Sequence, residues 1–473
     1  MKLKKLLISA LAVVMTFATA FSLAGCGGVK APDEALELPE AAPGMTAAVH
    51  DPSVFYDVSS QTYYAFGTHY AVASSKDLVT WTQEVTDQTI SGGRLTWPSL
   101  YGSGSYVDKN GTEWPAALQS TVELVNPTRD STTTWAPDVH KIGNKYYMYY
   151  SLTGGFGSNS SAIGRVESDN VMGPYSNNTV IVESVTSSSS SKPNCIDPEL
   201  FEDKSGTLWM VYGSFFGGIY IKELDKNGLP VEDGFGKLLW VGDSQGVEGP
   251  FIFYNDDTDY YYLMVSDGSL SSDYCMRVAR SKNPDGPYED ITGDDMASAF
   301  DGGNKLAGNY NIANMGNNVG LGHNSVVERR GEFFVVCHVR DNLNGGHHLE
   351  TRRLYFNKDG WPVLEPLRYA GENDGTATTE QVAGTFDVLV HSTGVSATIV
   401  PSVECTFNAD GTVSGALTGT WSMESDYFVT IELGGISYSG VVCAGWRTAP
   451  ENKGAYCFTA TSSDGNALWC VGR

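Results

Sequence analysis

The chain has 473 residues, with 55 acidic residues against 30 basic ones and a formal charge of −25. Such a surface repels phosphates and carboxylates, which argues against nucleic acid and other polyanions and leaves neutral polysaccharides admissible. The 25 Tyr and 10 Trp suit sugar rings, whose apolar faces stack on aromatic ones, although strand cores are expected to absorb most of them.

The first 25 residues read as a targeting segment. Lys2, Lys4 and Lys5 precede an apolar stretch from Leu6 to Leu23, and Leu23-Ala24-Gly25-Cys26 has the form of a bacterial lipoprotein cleavage site. Cleavage before Cys26 and acylation of its thiol would hold the chain on the extracellular face of the cell membrane, with the lipid as its only membrane contact. Loss of the three lysines leaves 27 basic against 55 acidic residues, or −28. Residues 26–44, rich in Ala, Pro and Glu, predict a flexible spacer.

From residue 45 one phrase recurs five times: an anchor beside a turn residue, an apolar pair, a turn, and a Tyr/Phe-rich run. The anchors are Asp51 in His50-Asp51-Pro52, Asp138 in Trp135-Ala136-Pro137-Asp138, Asp197 in Ile196-Asp197-Pro198, Glu248 in Val247-Glu248-Gly249-Pro250, and His323 in Gly322-His323-Asn324. The runs that follow are short, β-branched or aromatic, and bounded by Gly, Asp and Asn, which is hairpin grammar; helical periodicity is scarce after residue 40. Repeats of this kind predict propeller blades. Residues 45–370 are therefore expected to form a five-bladed β-propeller whose innermost strands aim the anchors at the axis. Long loops interrupt the repeat, as between Trp81 and Thr134.

Residues 370–379 are a linker by composition, and short alternating strands over residues 380–473 predict a small antiparallel barrel or sandwich. The fold class is thus all-β, and a monomer is expected. Seven cysteines follow Cys26, without the spacing of a zinc site; the last four, Cys405, Cys443, Cys457 and Cys470, suggest one or two disulfides outside the cell.

Asp51, Asp197 and Glu248 open strands of three different blades. Hydrolysis of a glycosidic bond with inversion needs one carboxylate to activate water and one protonated carboxyl to serve the leaving oxygen. The acid's pKa must be raised by burial or by a neighbouring negative charge, which a third carboxylate can supply. Asp256, Asp257 and Asp259 lack the spacing of a calcium loop and read as a hairpin tip. His338, Arg340, His347 and His348 read as strand packing or surface, with the pocket rim as the other reading.

The three motifs in this order resemble glycoside hydrolase family 43, five-bladed inverting enzymes acting on α-L-arabinofuranosides and β-D-xylosides. The resemblance implies Asp51 as general base, Glu248 as general acid, and Asp197 as the group that tunes Glu248 and orients substrate. It places Asp138 near the substrate. Asn194-Cys195-Ile196-Asp197 and Ser214-Phe215-Phe216 are similar to the segments that line the groove of the two-domain endo-α-1,5-L-arabinanases, which makes Asn194, Ile196, Ser214, Phe215 and Phe216 expected substrate contacts. Cys195 departs from the small residue usual there. The same resemblance puts a calcium ion beside His323; a hydrogen bond from this histidine to Asp51 or to the sugar is the alternative. Exo-acting arabinofuranosidases or xylosidases of the family, and a noncatalytic oligosaccharide-capturing lipoprotein, are the other readings.

Overall fold

The computed structural model describes residues 28–86, 98–128, 131–189, 192–241, 246–342 and 345–473. The leader and Cys26 lie outside these residues. Four four-stranded antiparallel meanders follow one another along the chain, and a fifth meander is the core of a six-stranded sheet. Their first strands are Ser53–Asp57, Trp135–Ile142, Glu199–Glu202, Val247–Asn255 and Asn317–Arg329, and these touch one another in cyclic order. The long loop between blades 1 and 2 holds a seven-residue helix, Gln119–Val125, which the sequence pattern does not announce. Thr121, Val122 and Val125 bury its inner face.

Among the described residues, no strand is shared between the first blade and the last to close the circle. Side chains and loops do that work. Ser325 Oγ of blade 5 accepts the N–H of Val54 at 3.0 Å, Trp81 Nε1 donates to Thr351 Oγ1 at 3.1 Å, and Leu349 N–H donates to the carbonyl of Ala47.

The second domain is a closed eight-stranded antiparallel barrel running from Gly384–His391 to Ala467–Gly472, whose first and last strands pair. Phe386, Phe407, Trp421 and Phe458 fill its interior in mutual edge and stacked contacts. Asp387, fully buried, is held by Arg447 at 2.6 Å and Arg473 at 2.7 Å. The barrel and the last two blades share one hydrophobic core, with Tyr310 edge-on to Trp469 at 5.1 Å. A short barrel segment, Val400–Pro401, adds in parallel to Tyr310–Asn311 at the edge of blade 5.

Two expectations are corrected here. The spacer is not free over its described part: Leu36 is buried in the shared core, and residues 34–36 bond Thr376 in both directions, N–H to carbonyl. A composition poor in strand formers says nothing about docking onto an existing surface. Among the described residues there is no disulfide; all seven cysteines there are free and buried, packing as small apolar groups. Cys443 and Cys457 lie directly opposite each other on neighbouring barrel strands.

Candidate active site

The five blades are equivalent at a finer grain than the motifs suggest. The ladder pairs that open the regular stretch of the first two strands, after a register irregularity in blades 2, 4 and 5, align Ser53, Asp138, Glu199, Phe251 and Ser325 with Phe66, Tyr149, Val211, Met264 and Val336. Two residues ahead of each comes a residue with positive φ: Asp51 (52°), Ala136 (26°), Asp197 (57°), Gly249 (55°) and His323 (44°). Four of these five are not glycine, and a left-handed backbone there is a strain that surrounding structure must over-determine.

A ring of hydrogen bonds does so. Each of the five residues donates its backbone N–H to the blade before it. Asp51 N–H goes to His338 Nδ1 at 3.2 Å, Ala136 N–H to Thr68 Oγ1 at 2.8 Å, and Asp197 N–H to Ser151 Oγ at 3.0 Å. His323 N–H goes to Ser266 Oγ at 2.6 Å. Thr68, Ser151, Ser266 and His338 occupy one equivalent position on or just past the second strands, two residues beyond Phe66, Tyr149, Met264 and Val336. In blade 3 that position is Gly213, which has no side chain, and Asp197 Oδ2 accepts the N–H of Gly249 instead, at 3.2 Å.

This alignment corrects the phase of the repeat at two anchors. Asp138 is the counterpart of Ser53 and Glu199, not of Asp51; Ala136 holds the Asp51 position. Asp138 is buried with its carboxylate engaged, accepting from Ser53 Oγ at 2.5 Å and from Leu200 N–H at 3.2 Å. Glu199 likewise accepts Ile252 N–H at 3.2 Å. The two acids form a lower tier that ties blade to blade, and burial pushes Asp138 up to about 6. Asp138 thus engages Ser53 of blade 1 and Leu200 of blade 3, two positions further along its strand than the Asp51 position. Glu248 stands one residue ahead of the equivalent Gly249, on the irregular stretch of ladder between Glu248 and Phe251.

The three acids of the motifs and His323 do come together. Asp51 Oδ1 lies 3.1 Å from His323 Nδ1 and 3.1 Å from His50 Nε2, and Thr68 Oγ1 donates to Oδ2 at 2.6 Å. Burial alone would raise the Asp51 pKa, but His50 and His323 facing it hold the carboxyl well below the usual range. His323 is the reverse case: burial disfavours its charge, yet Asp51, Asp197 and Glu248 carry it up to about 9. Glu248 is raised by burial, against the pull of His323 and with the Asp51 charge adding to it. Asp197 is raised by burial too, with His323 opposing and the Glu248 and Asp51 charges adding to the rise. Tyr274 OH donates to Glu248 Oε1 at 2.7 Å and Ser214 Oγ to Oε2 at 2.9 Å.

The other expected contacts divide. Asn194 and Ile196 are buried, with Asn194 Oδ1 accepting from Ser161 Oγ at 2.6 Å. Phe215 (37% exposed) and Phe216 (42% exposed) present open rings. Their turn is fixed by Phe215 N–H donating to the carbonyl of Val247 and by Asn194 N–H donating to that of Phe216. Across blade 2, Trp135 meets the exposed ring of Phe156 edge-on at 6.5 Å. Thr68, Ser151, Ser266 and Tyr274 carry no motif and escape a reading of the sequence. His50 was visible as the residue before Asp51, and only the fold shows it touching the carboxylate.

His338, read from sequence as packing, is fully buried against Asp51, and His50 and His347 adjoin it. Burial keeps all three rings uncharged, taking His50 down to about 4, His347 to about 2 and His338 well below its usual value. Among the described residues, the grouping with metal-ligand spacing is this trio and not a cage of carboxylates. Calcium takes six to eight oxygen ligands. His323 offers one ring nitrogen beyond the Nδ1 turned to Asp51, so the residues present do not make a protein cage for that ion.

The pattern "Glycosyl hydrolases family 43" matches residues 110–362, and a "C-terminal lipocalin-like domain" belonging to it matches residues 366–470. The chain is similar to extracellular endo-alpha-(1->5)-L-arabinanase 2 of Bacillus subtilis, at 36% identity over 89% of this chain and 92% of that one. It also resembles extracellular exo-alpha-(1->5)-L-arabinofuranosidase ArbA of Cellvibrio japonicus, at 31% over 67% of this chain and 86% of that one. The solved endo-1,5-alpha-L-arabinanase of Thermotoga petrophila superposes with a TM-score of 0.81 at 35% identity, covering 92% of this chain and all of its own. With both domains matched in order and identity sustained over nine-tenths of the length, the chain belongs to glycosyl hydrolase family 43.

Proposed function

We propose that this protein is an extracellular endo-α-1,5-L-arabinanase that cuts internal bonds of arabinan by single-displacement inversion. The observation that carries the reading is the convergence of Asp51, Asp197 and Glu248 on His323, with opposite shifts at Asp51 and Glu248. Asp51, held as a carboxylate, takes a proton from water. Glu248, whose protonated form is favoured by burial, gives one to the leaving oxygen. Asp197 sustains the proton on Glu248 and, with its carboxylate oriented by Gly249 N–H, receives a sugar hydroxyl. Phe215 and Phe216 stack on the furanose rings.

Endo action is favoured over exo action because the two-domain endo enzymes match nearly the whole chain, whereas the exo enzyme matches two-thirds of it. We place the protein on the outer face of the cell membrane through an acylated Cys26, acting as a monomer. Calcium enters the proposal as a largely hydrated ion beside His323, which would have to shed its imidazolium proton to ligate it, and no step depends on it.

Linear arabinan supplies the test. Early products of several chain lengths are expected, and arabinose alone from the first minutes would refute endo action. Glu248→Gln should abolish turnover while leaving oligosaccharide binding by calorimetry nearly intact; unchanged hydrolysis would remove Glu248 from the role of acid.

A further inference from the structure

His50, His338 and His347 gather where blade 1 meets blade 5. His50 precedes the inner strand of blade 1, His338 lies on the second strand of blade 5 (Glu332–Arg340), and His347 stands just ahead of its third (His348–Phe356). One ligand-capable atom from each lies within 4.8 Å of the others. His50 Nε2 and His338 Nε2 are buried without a hydrogen-bond partner; the approach of His50 Nε2 to Asp51 Oδ1 lacks hydrogen-bond geometry. Two imidazole nitrogens kept from water with nothing to bond are costly unless something else meets them. The third, His347 Nε2, accepts Arg340 Nε–H at 2.7 Å and so presents a lone pair rather than a proton.

We propose that this trio binds a divalent transition ion of the Zn²⁺ class, and that its occupancy switches off the base at Asp51. Three uncharged imidazoles without carboxylate ligands suit Zn²⁺, Co²⁺ or Ni²⁺ and not calcium. Entry of the ion requires His347 to turn out of its 9° stack on His50 and to release Arg340. It also requires His338 to ligate through Nε2, which moves the ring proton to Nδ1. That nitrogen now accepts Asp51 N–H and lies 3.5 Å from Asp51 Oδ1. Once protonated it can no longer accept the amide and donates to the carboxylate instead, the arrangement in which a metal-bound histidine passes its second N–H to an acid. Asp51 loses the bond that fixes its left-handed backbone and gains a donor on the oxygen it would use as base. The metal site rests on the histidines alone; the inhibition rests on the reading of Asp51 as base.

The test uses chelator-treated full-length protein. Co²⁺ should give visible d–d absorption saturating at one ion per chain, displaced by Zn²⁺ and not by Ca²⁺, and Zn²⁺ should inhibit arabinan hydrolysis over the same concentrations. His347→Ala should weaken Zn²⁺ about tenfold or more, remove the inhibition and leave metal-free hydrolysis unchanged. Arg340→Gln should tighten Zn²⁺, a gain that a merely damaged fold would not produce. Absence of Co²⁺ absorption, or equal Zn²⁺ affinity in His347→Ala, overturns the site. Binding lost in His347→Ala but without effect on hydrolysis overturns the coupling to Asp51. The activity of metal-free Asp51→Asn then shows separately whether Asp51 is the base.

Discussion

Asp197 Oδ2 accepts the backbone N–H of Gly249 at 3.2 Å, a task that side chains on or just past the second strands perform in the other four blades. One carboxylate therefore closes the ring and stands in the candidate site. Asp197→Ala should lose both functions, costing about 1–3 kcal/mol in urea denaturation for the orphaned buried amide together with most of kcat/KM. Asp197→Asn keeps a carbonyl oxygen for Gly249, so its stability should stay near that of the parent while activity still collapses. Equal stability losses in the two variants would remove the bond from the ring.

Tyr274→Phe tests how Glu248 is tuned. The Tyr274 hydroxyl donates to Glu248 Oε1 and so favours the charged carboxylate against burial, which disfavours it. Its removal should raise the Glu248 pKa further and move the alkaline limb of kcat/KM to higher pH, by up to about one unit for a bond to a charged group. Ser214→Ala should shift the limb in the same direction through Oε2. A downward shift in either variant would contradict the assignment of Glu248 as the acid.

Gly249 has a φ of 55°, and a Cβ there would lie 3.0 Å from the ring of His323. Gly249→Ala should push the imidazole off Asp51 and reduce kcat more than it raises KM, with fluorescence showing a folded protein. An unimpaired kcat would mean that the His323–Asp51 contact is dispensable.

Stability should peak near pH 6.5. His323, raised to about 9, contributes stability that is complete below its unfolded pKa of about 6.5 and is lost as pH rises through 9. His391, lowered to about 3 by burial, contributes stability present above about 6.5 and lost as pH falls toward 3. His391→Gln should flatten the acid side of a plot of urea midpoint against pH. An unchanged acid slope would locate the titrating group elsewhere.

In the barrel, Asp387→Ala strands Arg447 in a fully buried position. About 3–5 kcal/mol of destabilisation is expected for such a broken buried pair, read as a lowered thermal midpoint. A change below about 1 kcal/mol would show that water or Glu451 replaces the partner.

How far the sequence could be read follows from what each residue depends on. Tyr146 to Tyr150 and Tyr260 to Val265 announce their strands because period and composition are local, and the blades follow from their repetition. Asp51 and Asp197 could be found because the Pro after each sits in the same local turn. Asp138 was misplaced by two residues because Ala136 and Pro137 fall in the ladder irregularity between Trp135 and Asp138, where phase is set by backbone conformation and not by side-chain type. Nothing in Ala136 signals a positive φ. Thr68, Ser151 and Ser266 are ordinary strand-end residues until the blades close and bring each against a neighbour's amide. Leu36 reads as a spacer residue because its partners near Thr376 lie some 340 positions away.

The two residues Val400 and Pro401 give the barrel a standing that its position after a linker conceals. By pairing with Tyr310 and Asn311 they cap a sheet edge of the last blade, beneath which Tyr310 meets Trp469. A chain stopped near residue 380 would expose that edge and half of a shared core to solvent, an invitation to edge-to-edge association. The propeller and the barrel are thus expected to unfold as one cooperative unit, and a catalytic fragment trimmed at the linker is a candidate for aggregation, not for a minimal enzyme.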